Sequence, residues 1–284
     1  MTREKREDTI LQSEASGEKS SGSLNVIEIL SIVLVLMISD LLVGYLLSFF
    51  TNSIAGMCLF IAFTVKFLIT ILYATYLHRI KTGTFKGIVK ISWRGLDPVM
   101  ILWGLLLTVS ANIVLEPVIS LFPEKYMRIL ENAVGSGGWA LITSIFTAPF
   151  FEELLFRGMI QEELSAKYGV FRGIIIAALI FGIVHIIPQQ VVAAFVIGII
   201  LGYIYVKTQS IISVIVIHGA NNALAQFSLI LTDDITVTTS DLISSDNVYF
   251  GVYAVSSLFL IIFAVIFVKF CFGKRGINGT VPEN

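Results

Sequence analysis

Eight apolar stretches, most of them near 20 residues long, follow one another at about 26–50, 54–77, 98–121, 140–164, 170–188, 190–206, 210–231 and 248–270. A bilayer core about 30 Å thick is crossed by roughly 20 helical residues, and a chain in lipid must satisfy its backbone hydrogen bonds internally. The pattern predicts an all-α, polytopic membrane protein with about eight transmembrane helices. Composition agrees: 56% of residues are hydrophobic and 14% charged, where a soluble domain carries about 25% charged residues. Spans five and six are short, and Pro188-Gln189-Gln190 leaves little loop between them, so they read as a tight helical hairpin.

Residues 1–24 are polar and rich in Ser and Gly and read as a disordered tail; 25–272 form the transmembrane domain, and 273–284 a second tail. The first apolar run starts too late and is too long for a cleaved signal peptide. The basic residues set the orientation. With the N-terminus inside, Arg3, Lys5, Arg6, Lys19, Arg79, Lys81, Lys86, Lys90, Arg94, Lys167, Arg172, Lys207, Lys269, Lys274 and Arg275 fall on the cytosolic side, and the outer loops keep Lys125 and Arg128. Both termini are therefore expected in the cytosol. The basic connection 78–97, with Phe85, Ile88 and Trp93 interleaved, reads either as a segment on the cytosolic leaflet or as a solvated loop. Asn278-Gly279-Thr280 is then a chance glycosylation match. A net charge of −1 argues against a nucleic-acid partner. Cys58 and Cys271, each inside an apolar run, read as membrane-facing fillers.

An ionisable residue within a span costs about 2.5–3.5 kcal/mol on insertion scales, so each needs a reason. Asp40 and Lys66 are placed to pair across spans one and two. Glu116 lies close enough to the outer end of span three to be reached by water. The densest set lies in spans four, five and seven: Glu152, Glu153 and Arg157 in FFEELLFRG, His185 closing FGIVH, and His218, Asn221 and Asn222 in HGANN. Glu153 and Arg157, four apart, share a helix face and can pair, which leaves Glu152 as the unexplained charge. His218 and Asn222 also share a face. Counted from the cytosolic ends of their spans at 1.5 Å per residue, Glu152, His185 and His218 lie roughly 18, 22 and 12 Å deep, which permits one buried polar site among helices four, five and seven. The chemistry that fits is water activation, with a desolvated Glu as general base, a neutral His sharing the water, and a second His with Asn as oxyanion donors. A zinc site from His185, His218 and Glu152 or Glu153 is the chemical alternative.

In that order, EExxxR, FxxxH and HxxxN on three separate spans resemble the CPBP family (CAAX proteases and bacteriocin-processing proteins, also called Abi proteins), similar to the type II CAAX prenyl endopeptidases. The matching region covers about 140–225. The resemblance implies an intramembrane protease with its active site open to the cytosol, in which Glu152 and His185 activate water, His218 and Asn222 hold the oxyanion, and Glu153 and Arg157 support them. It implies no cofactor of settled kind, with a glutamate-driven route favoured over zinc. It further implies a membrane-bound or lipidated peptide as substrate, and for this short chain with its polar tail a bacterial plasma-membrane setting with peptide maturation or bacteriocin immunity as roles. Asn221, at an x position, receives no role. A non-catalytic membrane scaffold, in which the polar cluster glues helices, and a transporter, which would show repeats that are not evident, are the other classes considered.

Overall fold

A computed structural model describes residues 24–47, 52–84, 96–128 and 137–272. Residues 1–23 of the expected first tail, the second tail with its sequon, and residues 85–95 of the basic connection lie outside them. The described residues form α1 (Val26–Leu47), α2 (Asn52–Thr82), α3 (Pro98–Ile119), α4 (Gly138–Tyr168), α5 (Val170–Ile183), α6 (Pro188–Thr208), α7 (Ile211–Thr232) and α8 (Asp246–Phe272), with a single helical turn, Thr239–Leu242, before α8. No strand occurs among them. Seven of these helices are long and apolar enough to cross a membrane. The chain is an integral, all-α membrane protein.

The fifth helix differs from its expected span of 170–188. It has 14 residues and ends at Ile183, a rise of about 21 Å, short of the hydrocarbon core. Its successor starts at Pro188, which occupies the first turn because a missing N–H is harmless there. Pro188-Gln189-Gln190 is thus a helix start and not a break. The turn lies at Val184–Ile187, where Ile186 takes φ +63°, a costly conformation for a β-branched residue. His185 therefore sits on a strained turn beyond the helix.

Large side chains such as Leu41, Leu72, Phe227 and Ile261 are exposed, as expected where lipid is the solvent. The buried residues form two groups. One joins α1, α2 and α5 through Ile32, Leu36, Phe67 and Phe181 to Leu155, Phe156 and Ile160 of α4. The other joins α3, α6, α7 and α8 through Leu107, Leu201, Ile204, Val214 and Phe263. α4 runs between them, with Leu154 packed against the second group. Hydrophobicity gives little drive between helices in lipid, so close approach and polar contacts decide the packing. Gly198 and Gly202 of α6 show this. A Cβ at Gly198 would lie 3.1 Å from Ala178 Cα, and one at Gly202 would lie 2.7 Å from Gln161 Oε1. Arg157 Nη2 and Gln161 Nε2 of α4 donate to the carbonyls of these two glycines at 3.3 and 3.0 Å.

Lys66 pairs with Asp40 between α2 and α1 as expected, and its ammonium lies over the rings of Phe63 and Phe67. His78 Nδ1 of α2 meets Glu163 Oε1 of α4 at 3.0 Å. Glu116, expected within reach of water, is half-buried near the outer end of α3. Its Oε1 accepts the Thr239 N–H at 2.7 Å and its Oε2 is shielded, because the loop after α7 folds over it.

Candidate active site

α4 is not a uniform α-helix. Thr143–Thr147 and Phe156–Gln161 are π-helical, and the α-helical turn between them, Ala148–Leu155, carries both glutamates. A π turn widens the helix by one residue and leaves backbone groups needing other partners. α7 supplies one: Asn222 Nδ2 donates to the Ser144 carbonyl at 2.9 Å. Gly219 lets it approach, since a Cβ there would lie 2.7 Å from the Ile145 carbonyl oxygen.

Glu153 is fully buried and Arg157 is 2% exposed. Arg157 Nη1 donates to Glu153 Oε1 at 2.8 Å, the pair expected from their spacing. The same oxygen lies 2.7 Å from His218 Nδ1. Glu153 is therefore not only the partner of Arg157. It accepts the Nδ1 proton of His218 and so turns Nε2 inward. That Nε2 lies 3.9 Å from Glu152 Oε2, too long for a direct hydrogen bond and short enough for one water to touch both. Glu152, 12% exposed on its side chain, is the more accessible acid.

His185 Nδ1 lies 2.7 Å from the Phe181 carbonyl. A carbonyl only accepts, so Nδ1 donates and Nε2 of the neutral ring carries the lone pair. Phe181, 1% exposed, holds both imidazoles. Its ring meets His185 edge-on at 4.9 Å and His218 at 5.9 Å, and the Arg157 guanidinium sits over it at 4.5 Å. Glu152, His218 and Lys66 all lie within electrostatic reach of His185.

The structure thus joins Glu153, Arg157 and His218 directly, leaves Glu152 3.9 Å from His218, brings His185 beside them through Phe181, and puts Asn222 one turn beyond His218. Sequence reasoning missed three contributors. Phe181 was only a motif letter. Ser144 acts through its carbonyl, which no side-chain pattern reveals. Asn221 is 8% exposed and accepts from Asn112 Nδ2 at 2.8 Å. Beside the cluster, a cavity of roughly 650 Å3 lies among Phe60, Phe146, Phe151, Val216, Gly219 and Ala223, between α2, α4 and α7.

Residues 135–224 match the family model for Type II CAAX prenyl endopeptidase Rce1-like. Over this third of the chain the protein is similar to the CAAX-protease family. The matched segment spans all seven motif residues, from Glu152 to Asn222 with Phe181 among them, and includes Ser144 but not Asn112. No curated protein and no solved structure matches the chain. The zinc alternative does not fit the donors: among the described residues no three His, Cys, Asp or Glu side chains come together as a metal site.

Proposed function

We propose that this protein is an intramembrane endopeptidase that hydrolyses a peptide bond in a membrane-bound or lipidated peptide, using water activated by Glu152 and His185. The family match supports protease chemistry. The line Glu152–His218–Glu153–Arg157 carries the assignment of roles.

Charge counting supports both halves of the mechanism at once. Two carboxylates face one guanidinium in a buried cluster. An unbalanced buried charge is strongly disfavoured, so the cluster is neutral only with one further proton. Carried on His218 Nε2, that proton leaves Glu152 ionised as a base and makes His218 a donor. Glu152 then takes a proton from water, and the hydroxide adds to the scissile carbonyl carbon. His218 Nε2–H and the second N–H of Asn222 stabilise the oxyanion. Collapse of the adduct breaks the C–N bond, and the proton gained by Glu152 passes to the leaving amine. His185 Nε2 accepts a hydrogen bond from the attacking water. The apolar cavity beside the site suits the hydrophobic part of the substrate. The basic-residue pattern supports termini on the cytosolic side, and the family resemblance supports a bacterial plasma-membrane setting with the site open to the cytosol.

The test is cleavage of a farnesylated CAAX-type peptide and of an unmodified membrane-anchored peptide by the purified protein in liposomes. Wild-type protein should cleave at least one, and Glu152→Gln should abolish that cleavage while eluting and melting as wild type does. Full activity in Glu152→Gln would sink the assignment. Stoichiometric zinc together with chelator-sensitive cleavage would replace the glutamate route by the metal one.

A further inference from the structure

Asn112 Nδ2 of α3 donates to Asn221 Oδ1 at 2.8 Å. Asn221 Nδ2 lies 3.5 Å from Asn222 Oδ1, at the outer limit of a hydrogen bond. Asn222 Nδ2 donates to the Ser144 carbonyl at 2.9 Å. The three amides thus link α3, α7 and the first π turn of α4.

The polarity of this chain has a single origin. The Ser144 carbonyl can only accept, so Asn222 must turn its NH2 toward it. Asn222 Oδ1 then faces Asn221, which must present its NH2 in turn. Asn221 Oδ1 is left facing Asn112, which must donate. Reversing any one amide would oppose two oxygens or two NH2 groups somewhere along the line. The amide of Asn222 has two N–H bonds, and the chain commits one of them to Ser144, which fixes the direction of the other.

We propose that Asn112 and Asn221 are positioning residues: through the orientation of Asn222 they aim its second N–H at the developing oxyanion. This rests on the endopeptidase reading above. It goes beyond the motif pattern, in which position 221 is free and Asn112 lies outside the matched segment. The plainer reading, that the amides are interhelical glue, predicts a different result.

The experiment is a double-mutant cycle on the purified enzyme in liposomes, using a peptide whose Glu152-dependent cleavage has been demonstrated. Asn112→Asp is nearly isosteric and replaces the donor by an acceptor, so Asn221 and Asn222 must reorient. Asn112→Asp should lower kcat roughly 10- to 100-fold with KM nearly unchanged. In the Asn222→Ala background the same change should have almost no effect on kcat, because its route to the oxyanion is already gone. Asn221→Asp, which opposes an oxygen to Asn222 Oδ1, should behave likewise and serves if Asn112→Asp does not accumulate. Equal kcat losses in both backgrounds, or a loss matched by a fall in melting temperature, would overturn the positioning role. Failure of Glu152→Gln to abolish cleavage would instead strike the endopeptidase reading.

Discussion

The Glu153 carboxylate and the His218 imidazole, 65 residues apart in the chain, meet through Oε1 and Nδ1 at 2.7 Å. That oxygen also receives Arg157 at 2.8 Å. One atom therefore neutralises a buried cation and fixes a ring.

These two duties can be separated. Glu153→Gln leaves the Arg157 charge unpaired in the interior and should cost about 3–5 kcal/mol, read as a lower melting temperature in detergent. It should also lower kcat by roughly 100-fold or more, the scale seen when a carboxylate that orients a catalytic imidazole is replaced. The double variant Glu153→Leu with Arg157→Met should recover much of the stability and none of the activity. Recovery of both would mean that Glu153 does not act through His218.

Glycine at 219 and glycine at 251 should respond oppositely to a methyl group. A Cβ at 251 meets nothing within 4 Å, so Gly251→Ala should stabilise α8 by about 0.5–1 kcal/mol. A Cβ at 219 meets a backbone oxygen at 2.7 Å and must push α7 away from the π turn. Gly219→Ala should lower kcat at least roughly tenfold, since a shift near 1 Å at a site can cost 100-fold. Paired melting curves and kinetics for the two variants check this.

The loop between α7 and α8 carries a pH prediction. Thr236 Oγ1–H, the Thr236 amide and Arg128 all donate to Asp234, which brings its carboxyl down to about 2. A depressed folded-state value means that the contribution is full above the ordinary carboxylate value of about 3.9 and is lost as the pH falls toward about 2. Hydrogen exchange at the Thr236 amide, corrected for its intrinsic rate, should show constant protection from pH 5 to 8. Asp234→Ala, which removes the acceptor, should lose that protection across the whole range.

The all-α membrane architecture was legible because bilayer thickness turns length and hydropathy into helices. Glu153 with Arg157 followed from helical spacing, and Asp40 with Lys66 from the cost of isolated charge in lipid. The contact of Glu153 with His218 was not legible, because depth estimates along each helix leave rotation about its axis undetermined. The early end of α5 was hidden by an apolar run that continues through Ile187, and Pro188 was a start signal read as a stop. The π turns have no simple local signature. Without them neither the Ser144 carbonyl nor the role of Asn221 can be anticipated.

The widened turn at Thr143–Thr147 also bears on how a substrate gets in. Pulling α7 away from α4 strips the Ser144 carbonyl of its Asn222 donor, and an unsatisfied peptide group in hydrocarbon costs several kcal/mol. Pulling α2 away along the same stretch parts ring contacts, Phe60 with Trp139 and Phe67 with Phe151. Toward the other end of α2, His78 stays clamped to Glu163. On the endopeptidase reading, a lateral opening between α2 and α4 on the Trp139 side of that clamp should therefore cost less than one between α7 and α4.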